Sequence, residues 1–355
     1  MSTATLIEER PLVAAPDTTG RLAVAVVGCG YWGPNLIRNF TACPATRVAV
    51  LCDQDPGRLE RAADLCPRAE LASDAAEVFA DPRVEAVAIA TPVATHGPLA
   101  AAALRAGKHV LVEKPLATSE REAEGLVRLA ERCGRTLMVD HTFIHSAPIR
   151  KIKELLDSGE LGEVYYIDSV RINLGLFQND VNVLWDLAPH DLSIVDYLLG
   201  RMPRSLSAIG SCHARGDQED VAYLNLDFGG GLLASFHVNW LSPVKIRHLV
   251  LAGSKKGLVY NHLNPWEPIK IYDRGITVAE GAEARHTANI SYRTGDIWSP
   301  HLDATEALQN VVSHFAECIR EGRRPLTDGE AGLRVVRILD AAQRSIKAQG
   351  GRITL

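Results

Sequence analysis

The stretch LAVAVVGCGYWGP, Leu22–Pro34, decides the fold of this chain. Its first six residues are all apolar, which is typical of a strand buried on both faces of a sheet. The glycine pattern G-x-G-x-x-G follows at Gly28–Gly33, and a helical segment runs on through Phe40. Because the glycines lie between a strand and a helix, the pattern predicts a turn that binds the pyrophosphate of a dinucleotide.

Each glycine of this turn has its own predicted role. The first allows the tight turn, the second lets the pyrophosphate approach the backbone, and the third lets helix and strand pack closely. The helix N-terminus adds free N–H groups and a partial positive charge, and Pro34 suits a first turn because its missing N–H costs nothing there. The predicted cofactor-binding residues of the turn are Gly28, Gly30, Tyr31, Trp32 and Gly33.

An acidic residue, Asp53, ends the next predicted strand, Arg47–Cys52. A carboxylate at this point can accept hydrogen bonds from both ribose hydroxyls of NAD, and it repels the 2′-phosphate of NADP. The alternative is that Asp53 caps a helix beginning near Pro56. We favour the ribose role, because the glycine turn precedes it, and predict NAD as the cofactor; Arg58, close by in sequence, leaves NADP use open.

Strands and helices alternate with short connections as far as Asp140, which predicts a parallel, doubly wound α/β sheet in residues 21–141. A capping box, Ser119-x-x-Glu122, opens one of the helices. The other predicted elements are helix Asp74–Ala80, strand Ala86–Ala90, helix Pro98–Ala106, strand His109–Val112, a helix ending at Cys133 and strand Thr136–Asp140.

The alternation of strands and helices ends after residue 141. We predict that residues 142–355 form an α+β substrate and oligomerisation domain. Alternating apolar residues predict a sheet with one face covered and one open, and Gly229–Gly231 predicts a hairpin turn. The open face predicts a homodimer or homotetramer. The predicted elements are helix Ala147–Asp157, strands Glu163–Arg171, Ser205–Ala214, Val221–Phe228, Leu232–Trp240 and Lys245–Ala252, and helices Asp303–Arg320 and Gly329–Ala348.

Composition narrows the class of protein further. A length of 355 residues suits two domains, and a net charge of −5 argues against nucleic acid as partner. No apolar run approaches the roughly 20 residues of a membrane helix, so no membrane partner is expected. Residues 1–20 lack an apolar signal core and are predicted to be a disordered extension. Seven scattered cysteines without a Cys-x-x-Cys pair indicate reduced thiols in a cytoplasm, and no histidine spacing predicts a metal site.

Two clusters of residues are candidates for the active site. Glu113-Lys114-Pro115 closes a predicted strand, and in open α/β sheets ligands bind at the carboxyl ends of strands. Asp186 and His190 lie four residues apart, so they share one face of a helix that starts near Asp186. A carboxylate beside an imidazole orients the ring and favours its protonated form, and such a pair can take a proton from a hydroxyl. The alternatives are a surface Glu-Lys pair before a turn, a helix-capping Asp186 and a structural His190.

These clusters, the glycine turn and Thr91-Pro92-x-x-x-His96, in this order, resemble the Gfo/Idh/MocA family of glucose–fructose oxidoreductase and inositol dehydrogenase. The resemblance spans nearly the whole chain after Gly20. It implies an N-terminal Rossmann domain and a C-terminal domain with an open, mainly antiparallel sheet. It also implies a cofactor cleft lined by Thr91, Pro92 and His96, with Glu113 and Lys114 near the nicotinamide ribose.

The resemblance further implies separate roles for three residues at the reacting centre. Lys114 also reaches the reacting hydroxyl, Asp186 binds a neighbouring substrate hydroxyl, and His190 is the acid/base. The Lys114–Pro115 bond is a candidate for the cis form. Further pocket candidates are Asn173, Phe177, Asn182 and the His141-Thr142 corner.

The expected activity is hydride transfer between a nicotinamide cofactor and a secondary alcohol or ketone of a sugar. The stretch Asn173–Asp191 resembles family members that act on nucleotide-linked sugars, so we expect a nucleotide-linked or amino sugar. Three alternatives stay open: an inositol or other cyclitol dehydrogenase, an NAD-dependent glycosidase, and a non-catalytic NAD-binding sensor. The characteristic histidine-glycine motif of those glycosidases is not visible in the chain, and a sensor has no need of Lys114 and His190.

Overall fold

A computed structural model describes residues 20–175, 177–178, 180–214, 216–278 and 290–355. The predicted disordered extension therefore lies outside the described residues, apart from Gly20. No helix in the described ranges is long and apolar enough to cross a membrane.

The first half forms a six-stranded sheet in which every pair is parallel, in the order β3-β2-β1-β4-β5-β6. The strand order reverses at β1, and in open α/β sheets ligands bind at such a switch point. This confirms the doubly wound sheet. The elements are β1 Leu22–Val27, α1 Gly33–Ala42, β2 Thr46–Cys52, α2 Pro56–Ala63, β3 Glu70–Ala72, α3 Ala75–Ala80, β4 Ala86–Ile89, α4 Val93–Arg105, β5 His109–Glu113, α5 Glu120–Cys133 and β6 Leu137–Asp140.

One predicted helix start in this half needs correction. The predicted helix Pro98–Ala106 begins at Val93, so that Pro98 lies inside α4 rather than in its first turn. Proline is common in the first turn of a helix but also occurs further inside. Because the predicted start was taken from Pro98 alone, it was too late in the sequence. Ser119 caps α5 as predicted, since its side chain accepts the N–H of Glu122 at 3.3 Å. The capping box is incomplete, because the Glu122 carboxylate accepts the N–H of Thr118 instead of that of Ser119.

The second half forms a nine-stranded sheet in the order β14-β13-β12-β11-β7-β10-β9-β8-β15. β7 and β10 pair in parallel and the other neighbours pair antiparallel, which confirms the mainly antiparallel sheet. The four strands β12–β15 are absent from the sequence-based prediction. The elements are α6 Ala147–Asp157, β7 Val164–Leu174, α7 Val183–Leu199, β8 Ser205–Ser211, β9 Val221–Gly229, β10 Leu232–Asn239, β11 Leu241–Gly253, β12 Gly257–Asn261, β13 Ile269–Val278, β14 Ile290–Trp298, α8 Ala307–Glu321, α9 Gly329–Lys347 and β15 Ile353–Thr354.

One face of this large sheet packs against α7 and α9, and the other is open. The open face presents Tyr166, Tyr223 and Leu233, whose exposed fractions are 42%, 44% and 54%. On the covered face, alternate residues of β10 such as Ala234, Phe236 and Val238 are buried. The expected one-sided sheet is therefore present.

The last two helices return to the first sheet. Phe315 of α8 packs edge-on against Phe40 of α1, with ring centroids 6.5 Å apart, and shares a core with β1. Just before α9, the Thr327 hydroxyl donates to the carbonyl of Val139 in β6 at 2.7 Å. The two halves are thus packed together, and the boundaries at residues 21–141 and 142–355 stay a prediction.

Candidate active site

The glycine turn has the geometry that a dinucleotide requires. Gly28 adopts a φ of +96°, and a Cβ there would lie 2.6 Å from the carbonyl oxygen of Ala90. A Cβ on Gly33 would meet the carbonyl oxygen of Gly28. At Gly30 the nearest atom to such a Cβ is 3.7 Å away, on the Arg58 guanidinium, so this glycine faces open space. Backbone that a side chain would otherwise cover is available to a pyrophosphate, and the residues therefore fit the cofactor.

Asp53 stands at the end of β2, where a ribose hydroxyl is expected. Its Oδ2 accepts the N–H of Cys29 at 2.7 Å and its Oδ1 accepts the N–H of Asp55 at 2.9 Å, so the carboxylate is fixed beside the turn. The alternative role as helix cap is wrong, because Asp55 caps α2 by accepting the N–H groups of Gly57 and Arg58. Arg58 also lies 3.9 Å from the Asp53 carboxylate.

His96 connects two loops of the cleft. Its ring is buried, with Nε2 2.8 Å from the carbonyl oxygen of Thr91 and Nδ1 2.8 Å from that of Pro115. Burial lowers the pKa of His96, so the ring is neutral and can donate only one N–H at a time. His96 thus positions the loop after β4 against the loop after β5. The Lys114–Pro115 peptide between them is cis, as the resemblance implies.

Lys114, in the loop after β5, contacts Asp186, in helix α7 of the second half of the chain. The Lys114 ammonium donates to the Asp186 carbonyl at 2.7 Å and to its Oδ1 at 3.1 Å. The indole N–H of Trp240 donates to Asp186 Oδ2 at 3.2 Å. α7 begins at Val183, earlier than the predicted start near Asp186. The structure therefore brings the two predicted clusters together, and Trp240 is a neighbour that the sequence pattern did not identify.

His190 lines the same cleft one helical turn beyond Asp186, but the two side chains do not pair. The Asp186 carboxylate bonds to Lys114 and Trp240, while Nδ1 of His190 is buried without a hydrogen-bond partner in the described part of the chain. Burial, followed by the positive charges of Lys114 and Arg171, holds the pKa of His190 well below its usual range. The prediction that Asp186 orients this ring and favours its protonated form is wrong, and the ring is neutral at pH 7.

A buried ion pair and an aromatic ring hold His190 in place. Arg171 of β7 donates two hydrogen bonds to Asp191, at 2.6 and 2.9 Å, and both side chains are buried. The Phe143 ring stands edge-on to His190 at a centroid distance of 5.2 Å, and the Arg171 guanidinium lies 4.8 Å above the Phe143 ring. The ion pair joins α7 to β7 beside the candidate acid/base, and only tertiary contacts reveal it.

Glu113 faces a second carboxyl group. It is the register partner of Asp140 at the ends of β5 and β6, and the Thr142 hydroxyl donates to Asp140 Oδ1 at 2.8 Å. Burial, and then the negative charge of Asp140, holds the pKa of Glu113 well above its usual range; burial also raises the pKa of Asp140. Glu113 therefore retains a proton more readily than an exposed glutamate and can donate it in a hydrogen bond to Asp140.

The remaining pocket candidates separate into two groups. Asn173 and Thr142 line the cleft, and Asn173 Oδ1 is buried without a partner in the described ranges. Asn182 has a structural role, because its side chain caps α7 by accepting the N–H of Trp185 at 3.1 Å. Phe177 packs on Trp240 with ring centroids 5.2 Å apart, and His141 is buried.

One open cleft of about 2610 Å³ joins these parts. It is larger than the roughly 300–1,000 Å³ typical of a single small-molecule site, so it has room for a dinucleotide and a second ligand. Its lining includes, among others, Gly28, Gly30, Tyr31, Trp32, Asp53, Thr91, Pro92, His96, Glu113, Lys114, Asp186 and His190.

Both halves of the chain are similar in sequence to known proteins. Residues 22–141 match the oxidoreductase family with an NAD-binding Rossmann fold, and residues 149–259 match the GFO/IDH/MocA C-terminal domain. D-apiose dehydrogenase from Rhizobium rhizogenes is 25% identical over 92% of this chain and 95% of its own. The 1-carboxy-3-chloro-3,4-dihydroxycyclohexa-1,5-diene dehydrogenase from Comamonas testosteroni is 30% identical over 79% of this chain and 72% of its own.

A solved structure shows the same fold across the chain. Aldose-aldose oxidoreductase from Caulobacter crescentus has a TM-score of 0.80 and 22% identity, covering 94% of this chain and 100% of that one. The fold and cleft define a dinucleotide-dependent oxidoreductase. The chain belongs to the Gfo/Idh/MocA oxidoreductase family, and its cofactor is NAD.

Proposed function

We propose that the protein transfers hydride between NAD and a secondary alcohol or ketone of a sugar, with a nucleotide-linked or amino sugar as the finer expectation. The observation that carries this proposal is that Lys114, just after β5, and His190, in α7, line the same cleft as the glycine turn. When bound, NAD supplies the hydride chemistry, and the protein supplies alignment and charge. Relatives named for action on D-apiose and on a dihydroxylated ring support a polyol substrate.

Lys114 is the proposed ligand of the reacting oxygen. Two hydrogen bonds to Asp186 hold its ammonium at the cleft, where its side chain keeps an exposed fraction of 17%. A cation fixed in advance stabilises negative charge on the oxygen as the proton leaves, without reorganising during the reaction. The Asp186 carboxylate orients Lys114 and can accept a hydrogen bond from a neighbouring substrate hydroxyl.

His190 is the proposed proton carrier. Its Nδ1 is buried, which leaves Nε2 to take the hydroxyl proton during oxidation and to return it during reduction. Since burial and neighbouring cations hold the pKa of His190 low, the resting ring is neutral and is in the form that can accept the hydroxyl proton.

Replacing His190 tests the assignment. We expect His190→Asn to lower kcat about 10²–10⁴-fold, the usual effect of a positioned acid/base. The assay follows NADH with D-apiose, D-glucose, myo-inositol and UDP-N-acetylglucosamine as separate substrates. Fluorescence titration should show unchanged NADH affinity, because the glycine turn and Asp53 are untouched.

The matched control is His248→Asn. His248 lies on the same strand as Arg247, and its side chain points to the opposite face of the sheet, so its loss should leave kcat unchanged. Near-normal rates in His190→Asn would contradict the proposal. Release of free sugar from a glycoside without net change in NADH would indicate a glycosidase, and NADH binding without turnover of any substrate would indicate a sensor.

A further inference from the structure

Two arginines stand side by side on the covered face of the second sheet. Arg171 of β7 and Arg247 of β11 are direct register partners, so their side chains project from the same face. Like charges directly opposite each other on neighbouring strands destabilise a sheet. This juxtaposition therefore calls for a compensating negative charge.

Only one of the two arginines has such a charge. Asp191 neutralises Arg171 through two hydrogen bonds, as described above. Arg247 is half-buried and has no carboxylate within salt-bridge distance in the described part of the chain, and its Nε is buried without a hydrogen-bond partner there. A partly buried cation without a partner is costly, so its retention requires another source of stabilisation.

The position of Arg247 indicates what stabilises its charge. Its side chain lines the same cleft as Lys114 and His190, and the exposed Lys245 lies two residues before it on the cleft wall. The carboxylates on this side are already engaged, Asp186 by Lys114 and Trp240 and Asp191 by Arg171. The substrate end of the cleft thus carries a surplus positive charge that faces the ligand.

We propose that the substrate carries an anionic group, a carboxylate or a phosphate, and that Arg247 binds it. A guanidinium presents its N–H groups as a planar fork, which matches the paired oxygens of either anion. Lys245 adds a second positive charge on the same wall. The inference rests on the proposed function, because it assigns the substrate class of that site.

Binding to the enzyme saturated with NADH tests Arg247 without depending on turnover. The probes are D-glucose, D-glucuronate, glucose 1-phosphate and UDP-N-acetylglucosamine, titrated by calorimetry. We expect at least one anionic probe to bind about 10- to 100-fold more tightly than glucose, the scale of a charge-assisted hydrogen bond. The anionic probe that gains most identifies the carboxylate, the monophosphate or the nucleotide-linked form.

Variants assign the preference to one side chain. Arg247→Gln should remove the preference and leave glucose binding unchanged, Arg247→Lys should retain part of it, and Arg105→Gln, an exposed arginine at the end of α4, should have no effect. Equal binding of glucose and all anionic probes to the unmodified enzyme, or a preference that survives Arg247→Gln, would overturn the inference. Anion preference without turnover of any substrate would support the anion site and refute the proposed activity.

Discussion

The buried pair Arg171–Asp191 allows a quantitative test of how α7 is held beside the active site. The two side chains have exposed fractions of 3% and 7% and share two hydrogen bonds of 2.6 and 2.9 Å. Asp191→Asn leaves the Arg171 guanidinium buried without a full counter-charge. Removing one partner of such a pair costs about 3–5 kcal/mol of unfolding free energy. We expect kcat to fall as well, because His190 precedes Asp191 directly.

Urea titration followed by tryptophan fluorescence measures the loss as a lower midpoint of unfolding. The control is Asp157→Asn, which removes the partner of Lys153 in a pair whose exposed fractions are 29% and 61%. That exposed pair should contribute at most about 1 kcal/mol. The double variant Arg171→Met/Asp191→Leu should recover most of the stability, since it leaves no unpaired charge. Equal losses in the two single variants, or no recovery in the double variant, would refute this explanation.

Three further predictions follow from the cofactor site, the buried histidines and the open sheet face. Fluorescence titration should show tighter binding of NADH than of NADPH because of Asp53, and the reverse order would contradict the ribose assignment. Burial lowers the pKa of His145 to about 3, so the unfolded chain binds more protons than the folded chain. Stability should therefore fall as pH drops from about 6.5, by up to about 1.4 kcal/mol per pH unit, and His145→Phe should flatten this slope in urea titrations at pH 7, 6 and 5. Light scattering after size exclusion should give a dimer or tetramer that Tyr223→Glu with Leu233→Glu converts to monomer, and a monomeric unmodified protein would contradict that expectation.

Local patterns in the sequence were sufficient for the cofactor turn and for five of the six strands of the first sheet, all except the three-residue β3. A run of apolar residues followed by Gly28, Gly30 and Gly33 depends on conformation within a dozen residues, and the structure places each glycine where a side chain would clash or fill the turn. Strands β12–β15 were missed because their patterns are short or interrupted by polar residues, and β15 also pairs with β8, which is distant in sequence.

At the reacting centre, local sequence patterns predicted the positions of side chains but not their contacts. The spacing of Asp186 and His190 correctly predicted that they lie one helical turn apart on one face. It did not predict which neighbours each would bond, because Lys114 and Trp240 reach Asp186 from other elements.

What the sequence alone determined is therefore the class of protein, the cofactor turn and the residues that meet in the cleft, because these depend on short-range backbone conformation and on motif order. Tertiary structure alone decided the state of those residues. Within the described residues it pairs Lys114 with Asp186, leaves His190 neutral and Arg247 without a carboxylate at salt-bridge distance, and sets Glu113 against Asp140. The physical reason is that burial and the charges of residues distant in sequence govern ionisation, and both exist only once the two sheets are packed together.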